Sequence, residues 1–315
     1  MQGSTLSALQ RHAASGAKPL PMNAILEPAS CSERIARDLD QQRQRGALRQ
    51  IVIPPCPDEL IRLRQALQSA EPDLNEVARI ATGDVAMAAT LLRNANAAVN
   101  AVGPPVQTVG AALDRLGLHQ SAALMTAFLV RQALPVSSRH LERFWQRSSK
   151  RALAMGHLAR QLPGLSPDLA ATFGLFAHVG IPVLLQSVKG YGGTLVEAQA
   201  RIDRSFIATE NANHRTDHAV AGALLARAWK LAPSVVTAIA LHHEFGQLGS
   251  RGAEPEVHTL VAAGLVAEYP MRRREGLSAE VDWLQHGAAA LAWLHAGADE
   301  LTLWEEALLP VLDEQ

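Results

Sequence analysis

The 315-residue sequence has little cysteine, few aromatic side chains and almost no net charge. Its two cysteines, Cys31 and Cys56, are too few for a disulfide framework or a thiolate metal cage. The 29 basic residues balance 30 acidic ones, so the net charge of −1 removes the simplest argument for nucleic-acid binding. Aromatic residues, which strands favour, make up only 4%. These shortages argue against a disulfide-rich protein, a strongly basic nucleic-acid binder and a β-sheet protein.

The sequence also lacks long uninterrupted hydrophobic runs. The first twenty residues lack the charged-then-apolar order of a signal peptide. The longest apolar runs, such as the one over residues 122–130, are interrupted by Thr126 and too short to span a bilayer. We therefore expect a cytoplasmic protein that does not enter a membrane.

What the sequence does contain is alanine, the strongest helix former, in a composition that is 48% hydrophobic and 19% charged. No strand-like alternation and no internal repeat is visible, so the prediction is an all-α fold. The segment from Pro135 to Ser138 marks a boundary between two helical subdomains. The predicted division is an N-terminal helical arm (1–50, solvated or partner-facing), a first subdomain (51–136), a second (137–245) and a C-terminal helical extension (246–315).

Three local predictions concern helix boundaries and the placement of side chains. Residues 118–134 are expected to form a separate buried helix, and residues 168–188 are expected to form one mostly apolar helix. The adjacent His242 and His243, if both are helical, point about 100° apart, so only one of them would face a given pocket. The helices after residue 246 either pack back on the core or form a dimer surface.

Several motifs follow one another in an order that is typical of one family. They are IPPCP at 53–57, LLRNAN at 91–96, VQTVGAALDRLGL at 106–118, Phe144-Trp145, Gly174-Leu175, Gly180, DHAVAGALL at 217–225, Trp229 with Pro233, and His242-His243. Over about residues 51–245 the chain resembles the HDOD family, the HD-related output domains that are degenerate relatives of HD and HD-GYP phosphohydrolases. The resemblance implies two helical subdomains, the second of them HD-like.

The resemblance also implies where a metal centre would lie. HD enzymes hold divalent ions with a histidine, a His-Asp dyad, further histidines and a final aspartate, and the metal generates hydroxide from bound water. A gapless comparison over residues 174–185 places the dyad histidine at Ala177 and its aspartate at His178, and the upstream histidine at Arg147. Shifting the frame by one makes His178 a ligand followed by Val179. Neither frame restores the carboxylate, so no catalysis is expected.

The remaining candidates form a vestigial pocket of Arg147, His178, Glu210, His218, His242 and His243, with Asp217 nearby. The alternative is that these histidines are ordinary packing residues with hydrogen-bonded rings. From the sequence we expect no metal and no cofactor, while a phosphate or nucleotide ligand near Arg147 stays open.

Three function classes are compatible with these observations. The leading hypothesis is a non-catalytic bacterial signal-transduction module, a regulatory or adaptor protein that binds a signalling protein, with motility, stress or cyclic-dinucleotide pathways implied by the resemblance. The first alternative is a divergent metal-dependent phosphohydrolase that uses His178, His218, His242 and a carboxylate such as Glu244. The second is a nucleic-acid-binding regulator whose positive charge would come from Arg62, Arg64, Arg79, Arg93 and Arg115.

Overall fold

A computed structural model describes residues 30–44, 49–68, 70–97, 100, 103–136, 138, 141, 143–249, 254–277 and 281–313. Within these ranges the chain is helical and contains no strand, which confirms the all-α prediction. The first twenty-nine residues of the predicted arm lie outside the described residues. The helices are α1 (Cys31–Gln44), α2 (Asp58–Gln68), α3 (Leu74–Gly83), α4 (Val85–Ala95), α5 (Val109–Ala133), α6 (Phe144–Ala159), α7 (Pro167–Phe176), α8 (Gly180–Ser187), α9 (Tyr191–Ala200), α10 (Phe206–His214), α11 (His218–Ala228), α12 (Pro233–Leu241), α13 (Pro255–Arg274), α14 (Val281–Trp293) and α15 (Ala298–Asp313).

Helices α2 to α5 pack together around one apolar face from each helix. Asp84 begins α4 by accepting hydrogen bonds from the amides of Ala86 and Met87 at 2.7 and 3.0 Å, and Thr108 begins α5 in the same way. The separate helix predicted from residue 118 is confirmed, because α5 consists of two helical segments that meet at a kink. Gly117 forms that kink with a φ of 73°, a conformation that favours glycine.

The single helix predicted over 168–188 is wrong, since α7 ends at Phe176 and α8 begins at Gly180. Pro182 gives a physical reason: it has no amide hydrogen to donate to the His178 carbonyl, so the helical ladder is weakened at this segment. The chain turns at Ala177–Val179 instead. This turn carries His178 to the face of α11.

Helix α1 is packed on the second subdomain, so of the two alternatives, a solvated or a partner-facing arm, the solvated one is wrong for its described part. Cys31 and Leu39 are buried against α11 and α12. Ser32 donates its hydroxyl to Glu254 at 2.7 Å, and Arg227 donates to the Ala36 carbonyl at 2.8 Å. The many charges of α1 lie on its outward face, which is why its composition alone suggested full exposure.

The C-terminal helices α13 to α15 pack back on the core, which is the first of the two predicted outcomes. Helix α13 lies against α6, α7 and α12, and its Leu260 and Val261 are buried. The indole of Trp304 in α15 donates to Gln161 at 2.9 Å. Two acidic residues of this segment, Glu268 and Asp282, thereby reach the second subdomain.

The segment Pro167–Ser187 is long and apolar enough, by length and composition, to cross a membrane. It is 67% buried inside the fold, as the core helices of a helical protein are, and the turn at 177–179 divides it. The segment is therefore weak support for membrane insertion.

Candidate functional site

Four histidines converge in the second subdomain. His178 lies in the turn between α7 and α8, His218 is the first residue of α11, and His242 and His243 follow the last residue of α12. One ring nitrogen from each lies within 4.8 Å of the others. The His218 Nε2 atom is central, at 3.0 Å from His178 Nδ1, 3.2 Å from His242 Nε2 and 3.3 Å from His243 Nε2.

The prediction that only one of His242 and His243 faces the pocket is wrong. It assumed a helix through both residues, but α12 ends at Leu241 and the two histidines form a turn. The 100° separation of helical neighbours therefore does not apply. Both rings reach the cluster, with their centroids 4.2 Å apart.

In three of the rings, the Nδ1 atom faces a hydrogen-bond acceptor outside the cluster. The Nδ1 atom of His218 lies 2.7 Å from Glu210, that of His242 lies 2.7 Å from the Ile239 carbonyl, and that of His243 lies 2.6 Å from Asp282. Because a carboxylate and a carbonyl accept hydrogen bonds, each Nδ1 atom carries the proton. The Nε2 lone pairs then point into the cluster, which is the arrangement found behind metal-bound histidines.

Glu210 is the buried anchor of this arrangement. One of its oxygens accepts from the Tyr191 hydroxyl, and the other faces the ring and the backbone amide of His218. Burial raises the pKa of Glu210, but the adjacent His218 ring and these hydrogen bonds lower it by more, to below its ordinary value. The carboxylate is therefore ionised and fixes the tautomer of His218. Burial and the Glu210 charge raise the pKa of the Tyr191 phenol well above its usual range, so Tyr191 stays a donor.

The protonation of the rings suits ligand binding. Burial lowers the pKa values of His178 and His242 well below the ordinary value, and the charges of Arg151 and the neighbouring rings lower both further. Both rings are therefore neutral near pH 7, and neutral imidazole is the form that coordinates metal ions.

A buried ion pair lies beside the cluster. Arg151 is 6% exposed, and its Nε atom donates to Glu268 on α13 at 3.0 Å. Arg147, one turn earlier on α6, pairs with the other oxygen of Glu268 and lies 3.4 Å from Glu275. Of the two arginines, Arg151 lines the histidine cavity, and the predicted pocket residue Arg147 does not.

The cavity at the cluster is about 30 Å³, with Arg151, His178, His242, His243, Glu268 and Asp282 among its lining residues. That volume holds one ion or one water molecule. Ala177 lines it with a methyl group, and the proposed carboxylate ligand Glu244 is exposed and lies outside it. Asp217 instead caps α11 through the amide of Val220 at 2.9 Å.

The residues fit a tetrahedral transition-metal ion. Nitrogen ligands at the usual zinc distance of about 2.0–2.1 Å lie about 3.3–3.4 Å apart in a tetrahedron. Of the six separations in a four-ligand set, the three from His218 are 3.0 to 3.3 Å, close to this value, and the other three are within 4.8 Å. Among the described residues the group of mutually close ligand atoms consists of imidazole nitrogens and includes no carboxylate.

Three residues that complete the site were not predicted from the sequence. Arg151 is one helical turn beyond Arg147, so the i, i+4 spacing could have suggested it. Glu268 interrupts the apolar run of α13, which is a signal for a buried charge with a partner. Nothing in the sequence near Asp282 points to His243, because the two meet through tertiary packing.

Most of the arginines named for nucleic-acid binding are held by the protein. Arg62 and Arg79 pair with Glu76, at 2.8 and 2.7 Å. Arg64 donates to the Trp229 carbonyl at 2.7 Å, and Arg115 donates to the Pro104 carbonyl at 2.8 Å. Arg93 differs, because it lies in a groove of the first subdomain.

Solved structures share this architecture. A proposed signal transduction protein from Marinobacter aquaeolei VT8 superposes with a TM-score of 0.69 at 20% identity, over 90% of this chain and 65% of that one. An HDOD domain protein of unknown function from Geobacter sulfurreducens superposes with a TM-score of 0.61 at 17% identity, over 88% of this chain and 97% of that one. A proposed phosphohydrolase from Shewanella amazonensis SB2B superposes with a TM-score of 0.59 at 22% identity, over 89% of this chain and 94% of that one. At these identities the likeness shows the fold alone.

One curated relative is an uncharacterized protein from Treponema pallidum (strain Nichols), 24% identical over 196 residues. The match covers 61% of this chain and 37% of that protein, so the chain spans well under half of the relative's length. The HDOD domain family itself matches residues 53–245, close to the 51–245 predicted from the motifs. With that match over more than half of its length, the chain belongs to the HDOD domain family.

Proposed function

We propose that the protein is a non-catalytic, cytoplasmic regulatory component of bacterial signal transduction that acts by binding a partner protein. We also propose that its histidine cluster holds a single transition-metal ion, zinc by ligand type, in a structural role. This departs from the sequence-based expectation of no metal. When bound, such an ion adds charge and rigid coordination that joins the turn between α7 and α8, the start of α11 and the end of α12.

The observation that carries the proposal is the closed ligand set. Structural zinc sites have four protein ligands, whereas catalytic sites keep a position for water or substrate. Here four imidazoles are available, from His178, His218, His242 and His243, and the cavity of about 30 Å³ beside them is the size of one ion or one water molecule. The geometry therefore favours holding an ion over activating water on it.

The charges around the cluster support the same conclusion. Two buried carboxylates accept hydrogen bonds from ring nitrogens that lie outside the cluster. Glu210 orients the His218 ring in this way, and Asp282 orients the His243 ring. The third, Glu268, is paired with Arg151 and Arg147. A hydrolytic centre of this superfamily type needs a carboxylate on the metal, and each of these three is already committed to another partner.

Zinc titration tests the metal site, with Asp282→Asn as the informative variant. We expect wild-type protein to bind one zinc ion per chain, and the asparagine variant to bind it about 10–100-fold more weakly, because the ring of His243 loses its charged orienting partner. Affinity is measured by competition with a chromophoric chelator.

The matched control is Glu244→Gln, which removes the same charge from an exposed residue next to His243. We expect it to bind zinc as the wild type does. Equal affinities of the D282N and E244Q variants, or no zinc binding by folded wild-type protein, would contradict the metal site.

A further inference from the structure

A groove crosses the first subdomain between α4, α5 and the start of α6. Two cavities, of about 440 and 560 Å³, share Thr90, Arg93, Phe128 and Arg131 and so form one continuous depression. None of its lining residues belongs to the histidine cavity. The groove is therefore a separate site, and its occupancy does not depend on a metal ion at the histidines.

Helical spacing and small side chains create the groove. The lining positions recur every three or four residues on α4 and α5, so each helix presents one continuous face. Alanines at these faces leave the space that larger side chains would fill. Helix α4 and the residue that follows it closely contribute Thr90, Arg93, Asn94 and Ala97, and α5 contributes Leu124, Ala127, Phe128 and Arg131. Helix α6 contributes Trp145, Gln146 and Ser149, and Ala86, Ala89 and Gln132 line one end of the groove.

The groove is positively charged in a protein that is close to neutral. Arg93 and Arg131 are exposed in it, and no aspartate or glutamate is among its described lining residues. Arg93 makes one weak contact, at 3.4 Å to Thr90, and neither arginine forms an ion pair with a described carboxylate. This separates both arginines from Arg62 and Arg79, which Glu76 neutralises.

Asp84, an acidic residue that contacts the groove residue Gln132, has other hydrogen-bond donors. Asp84 accepts hydrogen bonds from the Ala86 and Met87 amides and from Gln132, at 2.7, 3.0 and 3.1 Å. Its charge is held at the N-terminus of α4, where the helix dipole stabilises it. The two guanidinium groups therefore remain the dominant charges of the groove.

Aromatic and apolar atoms form the rest of the surface. Phe128 and Trp145 are half-buried, and the apolar floor between them comes from Leu124 and Ala127. The indole of Trp145 packs edge to face on Phe144, with ring centroids 5.0 Å apart, which fixes its orientation. A flat, apolar ring is the shape that such a surface accepts.

We infer that this groove binds a small nucleotide of the nucleoside monophosphate class. The phosphate is placed between Arg93 and Arg131, whose planar guanidinium groups suit bidentate binding of phosphate oxygens. The base lies against Phe128 and Trp145. The side-chain amides of Asn94 and Gln146 provide hydrogen-bonding groups at the edge of the groove.

Titration of the full chain with AMP and with GMP, followed by tryptophan fluorescence and by calorimetry, tests this inference. We expect saturable binding of at least one of the two, and binding about tenfold weaker or more for adenosine, guanosine and inorganic phosphate alone. Arg93→Gln and Arg131→Gln are each expected to weaken binding about tenfold, since each removes a charged hydrogen-bond donor.

Arg49→Gln is the control, because it removes the same charge from an exposed arginine outside the groove. Ala127→Leu fills the floor without changing charge and is expected to weaken nucleotide binding as well. No saturable binding to folded wild-type protein overturns the inference. Nucleosides that bind as well as nucleotides, or R93Q and R131Q variants that bind like R49Q, overturn it equally.

Discussion

Replacement of Gly180 by alanine is expected to lower the free energy of unfolding by more than about 3 kcal/mol, beyond the usual cost of overpacking a core. A Cβ atom at this position would overlap the backbone carbonyl oxygen of His218 and lie 2.7 Å from the amide nitrogen of Gly222. Both obstacles are backbone atoms of α11, so no side-chain rotation relieves them. Helices α8 and α11 must separate, which also moves His178 away from His218.

Gly193→Ala provides the matched control. Gly193 lies in α9, is exposed, and has nothing within 4 Å of an added Cβ atom. Alanine there should leave stability unchanged or raise it by up to about 1 kcal/mol, because glycine is the weaker helix former. Urea unfolding followed by circular dichroism measures both. Equal unfolding midpoints for the two variants would show that α8 and α11 are not in the close contact described.

Replacement of Glu268 by glutamine is expected to cost about 3–5 kcal/mol, the range for breaking a buried ion pair by removing one partner. The variant leaves the Arg151 guanidinium buried without its counter-charge, and its Nη1 atom already lacks a hydrogen-bond partner among the described residues. The double variant Arg151→Met with Glu268→Met should recover most of the loss, since apolar side chains of similar size need no partner. Glu305→Gln breaks the exposed pair with Arg273 and should cost less than about 1 kcal/mol.

The same pair sets an acid limit on stability. Burial raises the pKa of Glu268, but the charges of Arg151 and Arg147 lower it more, so its pKa in the folded protein is below the ordinary 4.5. A lowered pKa contributes stability that is present above pH 4.5 and is lost as the pH falls below it. The wild type should therefore lose stability on acidification more steeply than the E268Q variant. If the E268Q variant loses no more free energy of unfolding than E305Q and keeps the same dependence of stability on acid pH as the wild type, this pair does not stabilise the fold.

The sequence was sufficient to predict the helical fold, because capping residues and apolar spacing act locally. Asp84 and Thr108 cap α4 and α5 with their own side chains, and the ordered motifs located the family domain. The failures have two sources. The apolar composition of residues 168–188 favours one helix, whereas Pro182 within that segment weakens the helical hydrogen bonding. The packing of α1 depends on the Ser32–Glu254 contact, which joins residues far apart in the chain.

The candidate site was likewise predictable only in part from the sequence. His178, His218, His242 and His243 were named from the sequence, and the structure brings all four together. Their closeness depends on α12 ending at Leu241, which apolar periodicity does not reveal. The acidic partners Glu268 and Asp282 come from beyond the family domain. Their contacts with Arg151 and His243 arise only once the C-terminal helices have packed on the core.

The most direct test of a closed, non-catalytic histidine site is hydrolysis by the zinc-loaded full chain. The substrates are bis(p-nitrophenyl) phosphate and a cyclic dinucleotide, and the metal-free chain is the reference. Manganese and iron(II) are tested in the same way. We predict that the metal-loaded protein hydrolyses neither substrate faster than the metal-free protein does. Saturable, metal-dependent turnover that the His242→Ala variant loses would contradict the proposed non-catalytic role.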